Sequence, residues 1–478
     1  MPRPAVNMIR QAPFFFHPAD KEAELPTRDL PIIRSYPGSE ATPEATPGDV
    51  VIDCIGSVVG RDARRRPLLV YIHVPFCSSK CTFCTWVAGV SVPELRSSDD
   101  TRSRYAEAVK EQIEFYAPRL TALGYVPDIV YWGGGTPSAL SVDQIRTIAN
   151  SLRDNFDLST VREYTVESSP ETLTAEKISE FQAAGMDRLS IGVQSFNESE
   201  LRRAGRSHSP AEAEDTFRRA ERLGCVNRNI DIITGFPKQT REVLEETIAK
   251  TLELRPEHIT AYSYYEARGT VMARQIARGH ISAPRFEARA SAQELVYEVL
   301  TSNGYSEYMP MYYSRSEQLR FKGESYYFNW EGDHIGFGSG AFSVLATHRT
   351  LNARGNLEKY ISSPTTFDHF DKADLRIAVD ESLTMMFLNG RRIAYDRFFG
   401  RFGFDFRELL EFPRMKAFRL ALDRIGTPLR LTSTEVYVGT EAGDWNGGEL
   451  VRLQAKVRAE IASAAHRASI SAQSKRSS

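Results

Sequence analysis

Cys77, Cys81 and Cys84 crowd into one short stretch with the spacing CxxxCxxC, while Cys54 and Cys225 stand alone. An odd number of cysteines so distributed is no disulfide framework, and a close cluster points to metal ligation. Three thiolates alone suit an iron–sulfur cluster better than a closed zinc site, which wants four protein ligands. One iron of a four-iron cluster would then lack a protein thiolate, and the amino and carboxylate groups of S-adenosylmethionine could bind there while an electron enters the sulfonium. A structural zinc knuckle is the alternative. The nearest further donor, His73, lies within an apolar run and would have to turn into the loop. Cys54 and Cys225 read as small buried hydrophobes.

A second group of residues recurs just after apolar runs. Gly133, Gly134 and Gly135, followed by Thr136 and Pro137, would let backbone N–H groups approach a carboxylate or phosphate closely, although a tight turn also explains them. Glu167, Gln194 and Asp231 end or punctuate otherwise apolar segments; carboxylates there could take ribose hydroxyls and an amide a purine. Taken singly, each is as well explained as a satisfied core polar group. Arg206, in AGRSH, could neutralise a methionine carboxylate bidentately or could be an exposed helix arginine.

Such residues need elements to hold them. Apolar runs at 68–74, 128–132, 162–167, 188–193, 229–234 and 258–264 predict strands, and the amphipathic segments Arg104–Leu120, Val142–Asn155, Ala175–Ala184 and Arg241–Leu254 predict helices between them. Strand and helix in repeated alternation predict right-handed crossovers, a parallel sheet and, with six units, an incomplete α/β barrel whose ligands gather at the strand C-termini. The expected organisation is a proline-rich arm over residues 1–50, a partial (β/α)6 barrel over 51–275, a mainly helical C-terminal domain over 276–455 and a frayed tail over 456–478.

Composition narrows the partners. Sixty Lys and Arg against 62 Asp and Glu leave no global field to gather nucleic acid or an anionic membrane, so a small-molecule substrate is expected. No stretch approaches the roughly 20 apolar residues of a membrane span, and the first residues lack a signal-peptide pattern. A cytoplasmic monomer is expected.

Taken in order, YIHVPFCSSKCTFC, YWGGGTPS, VESSP, RLSIGVQSF, AGRSH and NIDIITGFPKQT resemble, over residues 68–345, the radical S-adenosylmethionine (SAM) proteins typified by oxygen-independent coproporphyrinogen oxidase. The resemblance implies a partial barrel, one 4Fe-4S cluster on the three cysteines and two SAM molecules. It implies that Tyr71, Gly134 and Glu167 contact the first SAM, and Phe83, Gly135, Thr136, Gln194, Arg206 and Asp231 the second. A reducing partner such as flavodoxin or ferredoxin is implied too.

Departures sort the branches of this family. The oxidases place a cysteine where this chain has Trp86, and the haem chaperones carry His-Asn where it has Ser325-Tyr326, ahead of Asn329-Trp330. The remaining branch, and the expected one, is the class C radical methyltransferases and cyclopropanases, acting on an unsaturated or aromatic natural product, with Tyr265 and Glu266 as candidate bases. The alternatives are coproporphyrinogen III oxidation and haem trafficking.

Overall fold

Long apolar runs without alternation belong in a sheet covered on both faces, and this chain uses them so. The computed structural model describes residues 45–59, 65–84, 91–267, 269–323, 326, 332–346, 348–371, 392–402, 405–410, 419–420, 423 and 429–438. The arm up to residue 44 and the tail from 456 lie outside these, as do Trp86, Ser325, Asn329 and Trp330.

A two-residue strand, β1 (Thr46–Pro47), leads into the helix α1 (Gly48–Val59). Six strands then follow in order: β2 (Arg66–Val74), β3 (Tyr125–Gly134), β4 (Glu163–Ser168), β5 (Arg188–Gln194), β6 (Arg228–Thr234) and β7 (His258–Ser263). They are neighbours in that sequence and all parallel, as expected from the alternating pattern. Each predicted strand is found, lengthened at most by a few residues.

The helices between them start at local hydrogen-bonding signals. Ser141 with Gln144 and Ser209 with Glu212 form capping boxes, and Thr174 and Thr240 cap two further helices. The helices Val142–Asn155 and Arg241–Leu254 run over the stretches their periodicity predicts. Two helices, Glu198–Ala204 and Pro210–Arg222, fill the crossover from β5 to β6.

Alternation sorts the strand residues between two faces. Val70, Ile72, Val130, Trp132, Val166, Ile191 and Ile230 pack against helix residues such as Ile113, Ile148, Phe181 and Phe217 in the main core. Leu69, Tyr71 and Ile129 face the other way, where they meet Tyr326 and Ala341. That inner face turns polar toward β5 and β7: His258 sits with its Nδ1 2.6 Å from Asn229 Oδ1 and its Nε2 2.8 Å from the Tyr308 hydroxyl. Burying such groups is tolerable because they satisfy one another.

The sheet continues past the six units at both edges. The hairpin β8 (Ser306–Met309) and β9 (Tyr312–Ser314) pairs antiparallel to β7. On the other side β10 (Asp333–Phe337) pairs parallel to β2, followed by the antiparallel β11 (Phe342–Leu345), β12 (His348–Asn352) and β13 (Thr366–Asp371), with β1 last. The order runs from β1 to β8 without closing, so this is an incomplete barrel. Because β2 to β7 and β10 are parallel, their C-terminal ends share one rim. No helix among the described residues is long and apolar enough to cross a membrane.

Candidate functional site

The cysteine loop leaves the rim directly after β2. Phe76, fully buried, packs edge-on against Tyr105 with ring centroids 5.1 Å apart and anchors the start of the loop. Its far side is bound to the last turn of the helix Glu198–Ala204 and to the glycine after it. The Thr82 N–H donates to Ala204 O at 2.9 Å, Ser79 Oγ to Gly205 O at 3.0 Å, and Thr82 Oγ1 to Arg203 O at 2.9 Å.

Two glycines allow this fit. Gly205 has φ +74°, and a Cβ on it would lie 3.1 Å from Lys80 O. A Cβ on Gly135 would sit 2.7 Å from both Val74 O and Phe76 O and 3.0 Å from Cys77 Sγ. The glycine run is therefore more than a turn, since it brings the end of β3 into contact with the cysteine loop.

The thiols suit a bound cluster. Burial pushes the Cys77 thiol up to about 12, so a cationic group is needed to hold it as thiolate. Thr136 Oγ1 donates to Cys77 Sγ at 3.5 Å and Arg206 Nη1 to Cys81 Sγ at 3.4 Å, which places donors where sulfur carries negative charge. Among the described residues no three Cys, His, Asp or Glu side chains close on a single ion. Three thiolates on one loop are the donor set of a multi-iron cluster, whereas a closed zinc site wants a fourth protein ligand. His73 does not join the cysteines. Its ring packs on Gly134 with Nδ1 3.2 Å from the Tyr71 hydroxyl, and burial lowers it to about 3, so it is neutral.

Of the other expected residues, Glu167, Gln194 and Arg206 stand at the same rim, while Asp231 sits mid-strand in β6, close enough for its charge to act on Glu167. Glu167 lies next to last in β4 and accepts a hydrogen bond from the Tyr131 hydroxyl. Burial lifts its carboxyl to about 7, with the neighbouring Asp231 charge adding to the rise and the Tyr131 bond opposing it. Asp231, also raised by burial, accepts from Asn229 Nδ2 at 2.7 Å and Ser190 Oγ at 3.0 Å. Gln194 ends β5 with φ +72°, a left-handed conformation uncommon for a side-chain-bearing residue, and its Oε1 is buried without a protein partner. Backbone strain beside an unsatisfied amide marks a place that a ligand would complete.

Arg206 is no exposed helix arginine. Its Nη2 donates to Ser169 Oγ and to Gly192 O, each at 2.6 Å, while its buried Nε has no protein partner. Tyr71 is buried, its ring 6.0 Å from that of Tyr131. Phe83 packs edge-on to Phe236 at 5.4 Å, beside Tyr264 and Met272. Tyr265 and Glu266 follow β7, both half-buried.

One group went unread in the sequence. Glu171 Oε1 accepts from Ser78 Oγ at 2.6 Å and Ser207 Oγ at 3.2 Å, and Oε2 accepts from Ser169 Oγ and lies 3.2 Å from His208 Nδ1. Burial, the largest single influence, would raise this carboxyl, yet the His208 bond, the Arg206 charge and the serine hydroxyls together hold it well below the usual range. The available signal was a carboxylate directly after VESSP and a histidine at the end of AGRSH, two segments already singled out.

Comparison with known proteins follows the same lines. Residues 71–251 match the model of the Radical SAM superfamily. The heme chaperone HemW of Escherichia coli (strain K12) is 30% identical over 64% of this chain and 80% of its own length. The heme chaperone HemW of Lactococcus lactis is 27% identical over 72% and 88%. The oxygen-independent coproporphyrinogen III oxidase of Salmonella typhimurium is 33% identical over 42% of each chain. Among solved structures, coproporphyrinogen III oxidase (HemN) from Escherichia coli, a radical SAM enzyme, aligns with a TM-score of 0.67 and 22% identity over 89% of this chain and 96% of its own, a likeness of fold.

These relatives correct the expected activity. Class C methyl transfer or cyclopropanation of a natural product has no support among them; their names are those of haem chaperones and a coproporphyrinogen oxidase. The departures at Trp86 and Ser325-Tyr326 misled because a few positions were weighed against similarity spread along the chain. The base that Tyr265 and Glu266 would supply belongs to the discarded reaction.

Proposed function

This chain belongs to the radical SAM superfamily, among its HemN- and HemW-like proteins, and on that premise we propose that it is a SAM-cleaving enzyme of the coproporphyrinogen-oxidase kind. Cys77, Cys81 and Cys84 would hold a 4Fe-4S cluster. The chemistry such a cluster supplies when bound is the single electron that splits SAM into methionine and a 5′-deoxyadenosyl radical. One observation carries the reading: three thiols, with donors on two of them, share a rim with Glu167, Gln194 and Arg206.

The protein's own part is binding and orientation. Gly134 and Tyr71 border the cysteine loop, and Glu167, neutral or charged near pH 7, is placed to take ribose hydroxyls. Arg206, fixed by Ser169 and Gly192, presents a cation suited to a methionine carboxylate. A second SAM would use Phe83, Gly135, Thr136, Gln194, Arg206 and Asp231; the unpaired Gln194 amide oxygen supports that pocket. The substrate is a propionate-bearing tetrapyrrole, and the electron arrives from a flavodoxin or ferredoxin.

A second reading, haem carriage, is favoured by the relatives named as heme chaperones. One experiment separates the two. Anaerobically reconstituted, reduced protein is given SAM with coproporphyrinogen III, or is titrated with haem. Carbon dioxide and 5′-deoxyadenosine formed in proportion to porphyrinogen support the oxidase. A stoichiometric haem spectrum without porphyrinogen-dependent SAM cleavage would replace it with carriage.

A further inference from the structure

The cysteine loop must keep its shape while SAM enters and its products leave, and its two halves are held by different parts of the chain. Thr82 and Ser79 are tied to residues 203–205. At the near half the Cys77 N–H donates to Leu95 O at 3.2 Å and Arg96 Nε to Ser78 O at 2.9 Å, while the Ser78 hydroxyl donates to Glu171 at 2.6 Å and so ties the loop to the end of β4. The same carboxylate holds Ser207 at 3.2 Å and faces His208, whose side chain has no solvent exposure. It also takes the hydroxyl of Ser169, whose oxygen accepts from Arg206 Nη2 at 2.6 Å. His208 is pinned at its other nitrogen, with Nε2 3.1 Å from Val193 O, next to the strained Gln194.

One carboxylate therefore joins four segments: the cysteine loop at 78, the end of β4 at 169, the end of β5 through 193, and the 205–208 turn that carries Arg206. We propose that Glu171 is the positioning residue of this site, setting through Ser169 and the 205–208 turn where the Arg206 guanidinium stands, and through Ser78 where the cysteine loop stands beside it. This rests on the reading that SAM binds here with its carboxylate toward Arg206. Glu171 touches neither SAM nor iron; it acts through Arg206 and Ser78. Nothing else in the crossover loop after β4 reaches all four segments, and the geometry explains why an acid rather than an amide is used. Ser78, Ser169 and Ser207 donate hydroxyls and Arg206 is a cation nearby, so the acceptor-only form of the side chain satisfies every neighbour.

The test uses full-length Glu171→Gln, Glu171→Asp and Ser78→Ala beside the wild type. Glu171→Gln puts an NH2 where hydroxyls donate and removes the charge near Arg206, so the hydroxyls on that side must turn to accept or let go. Hydrogen exchange on the cluster-free proteins should show faster exchange of amides 78–84 in Glu171→Gln, with β2 amides unchanged. After reconstitution, iron content should stay near wild type, while the dissociation constant for SAM, read by equilibrium dialysis, should rise about tenfold or more. The shift that SAM produces in the electron paramagnetic resonance spectrum of the reduced cluster should need correspondingly more SAM. Glu171→Asp should recover part of the affinity, and Ser78→Ala should speed loop exchange with a smaller loss of affinity. Wild-type exchange and wild-type SAM affinity in Glu171→Gln would overturn the proposal. Failure of the wild-type protein itself to bind SAM would overturn the reading beneath it, and is seen before any variant is measured.

Discussion

Replacing Glu167 by Gln should make the protein more stable at alkaline pH and leave it nearly unchanged at pH 5. In the fold this carboxyl titrates at about 7, against 4.5 ordinarily, chiefly because burial disfavours its charge. Its pKa is raised on folding, so between these two values the unfolded chain has lost the proton while the native protein still holds it. Stability then falls as pH rises, by ~1.4 kcal/mol per pH unit, and levels off above the native value. Across the whole window the loss is at most ~3 kcal/mol. Glutamine keeps the amide oxygen that Tyr131 can donate to and carries no proton to lose. Asp231, raised in the same direction, contributes a slope of the same sign in both proteins, so the difference between the two curves reports Glu167. The assay is urea denaturation of cluster-free wild type and Glu167→Gln from pH 5 to 8.5. The variant should gain ~2–3 kcal/mol relative to wild type by pH 8. A difference that stays flat across this range would refute the argument that burial holds the carboxyl neutral.

Cys81→Ala should abolish both cluster absorbance and 5′-deoxyadenosine formation after reconstitution, and retention of either would remove the cysteine loop from the chemistry. Gly135→Ala should lower iron incorporation sharply, because the new methyl meets two backbone carbonyls 2.7 Å away and cannot be accommodated without moving the loop, a strain of ~1–3 kcal/mol; iron per chain after reconstitution checks it. Glu257→Ala should cost ~3 kcal/mol in urea denaturation, since it strips buried Arg228 of a bidentate partner at 2.7 and 2.9 Å.

Similarity to haem chaperones and similarity to a porphyrinogen oxidase place different demands on one rim. The proposed SAM cleavage would need the cysteines, Glu167 and Arg206 held together, and the fold brings these residues to one end of the sheet. The positions by which the branches were told apart in the sequence, Trp86 and Ser325-Tyr326, are three residues set against similarity that covers 72% of the chain in one relative, which is why they are weak guides to a branch.

The sequence by itself determined the six parallel strands, the helices between them and the cysteine group proposed to hold the cluster, but not the strands after residue 305, where a mainly helical domain was expected. Runs such as LLVYIHV and NIDIIT can be read locally because a strand covered on both faces must be largely apolar, and capping serines announce helices within three residues. CxxxCxxC was legible because its three cysteines stand on one short stretch. Only the tertiary structure decided that Arg206 stands over Cys81, 125 residues away, and that Glu171 links Ser78 to His208. It alone decided that β10, some 250 residues later, pairs with β2 and extends the sheet. The strained backbone of Gln194 and its unpaired amide are also products of packing. Contacts of this kind leave no local periodicity, because a polar side chain at a strand end looks the same in sequence whether it caps a turn or meets a partner from a distant loop.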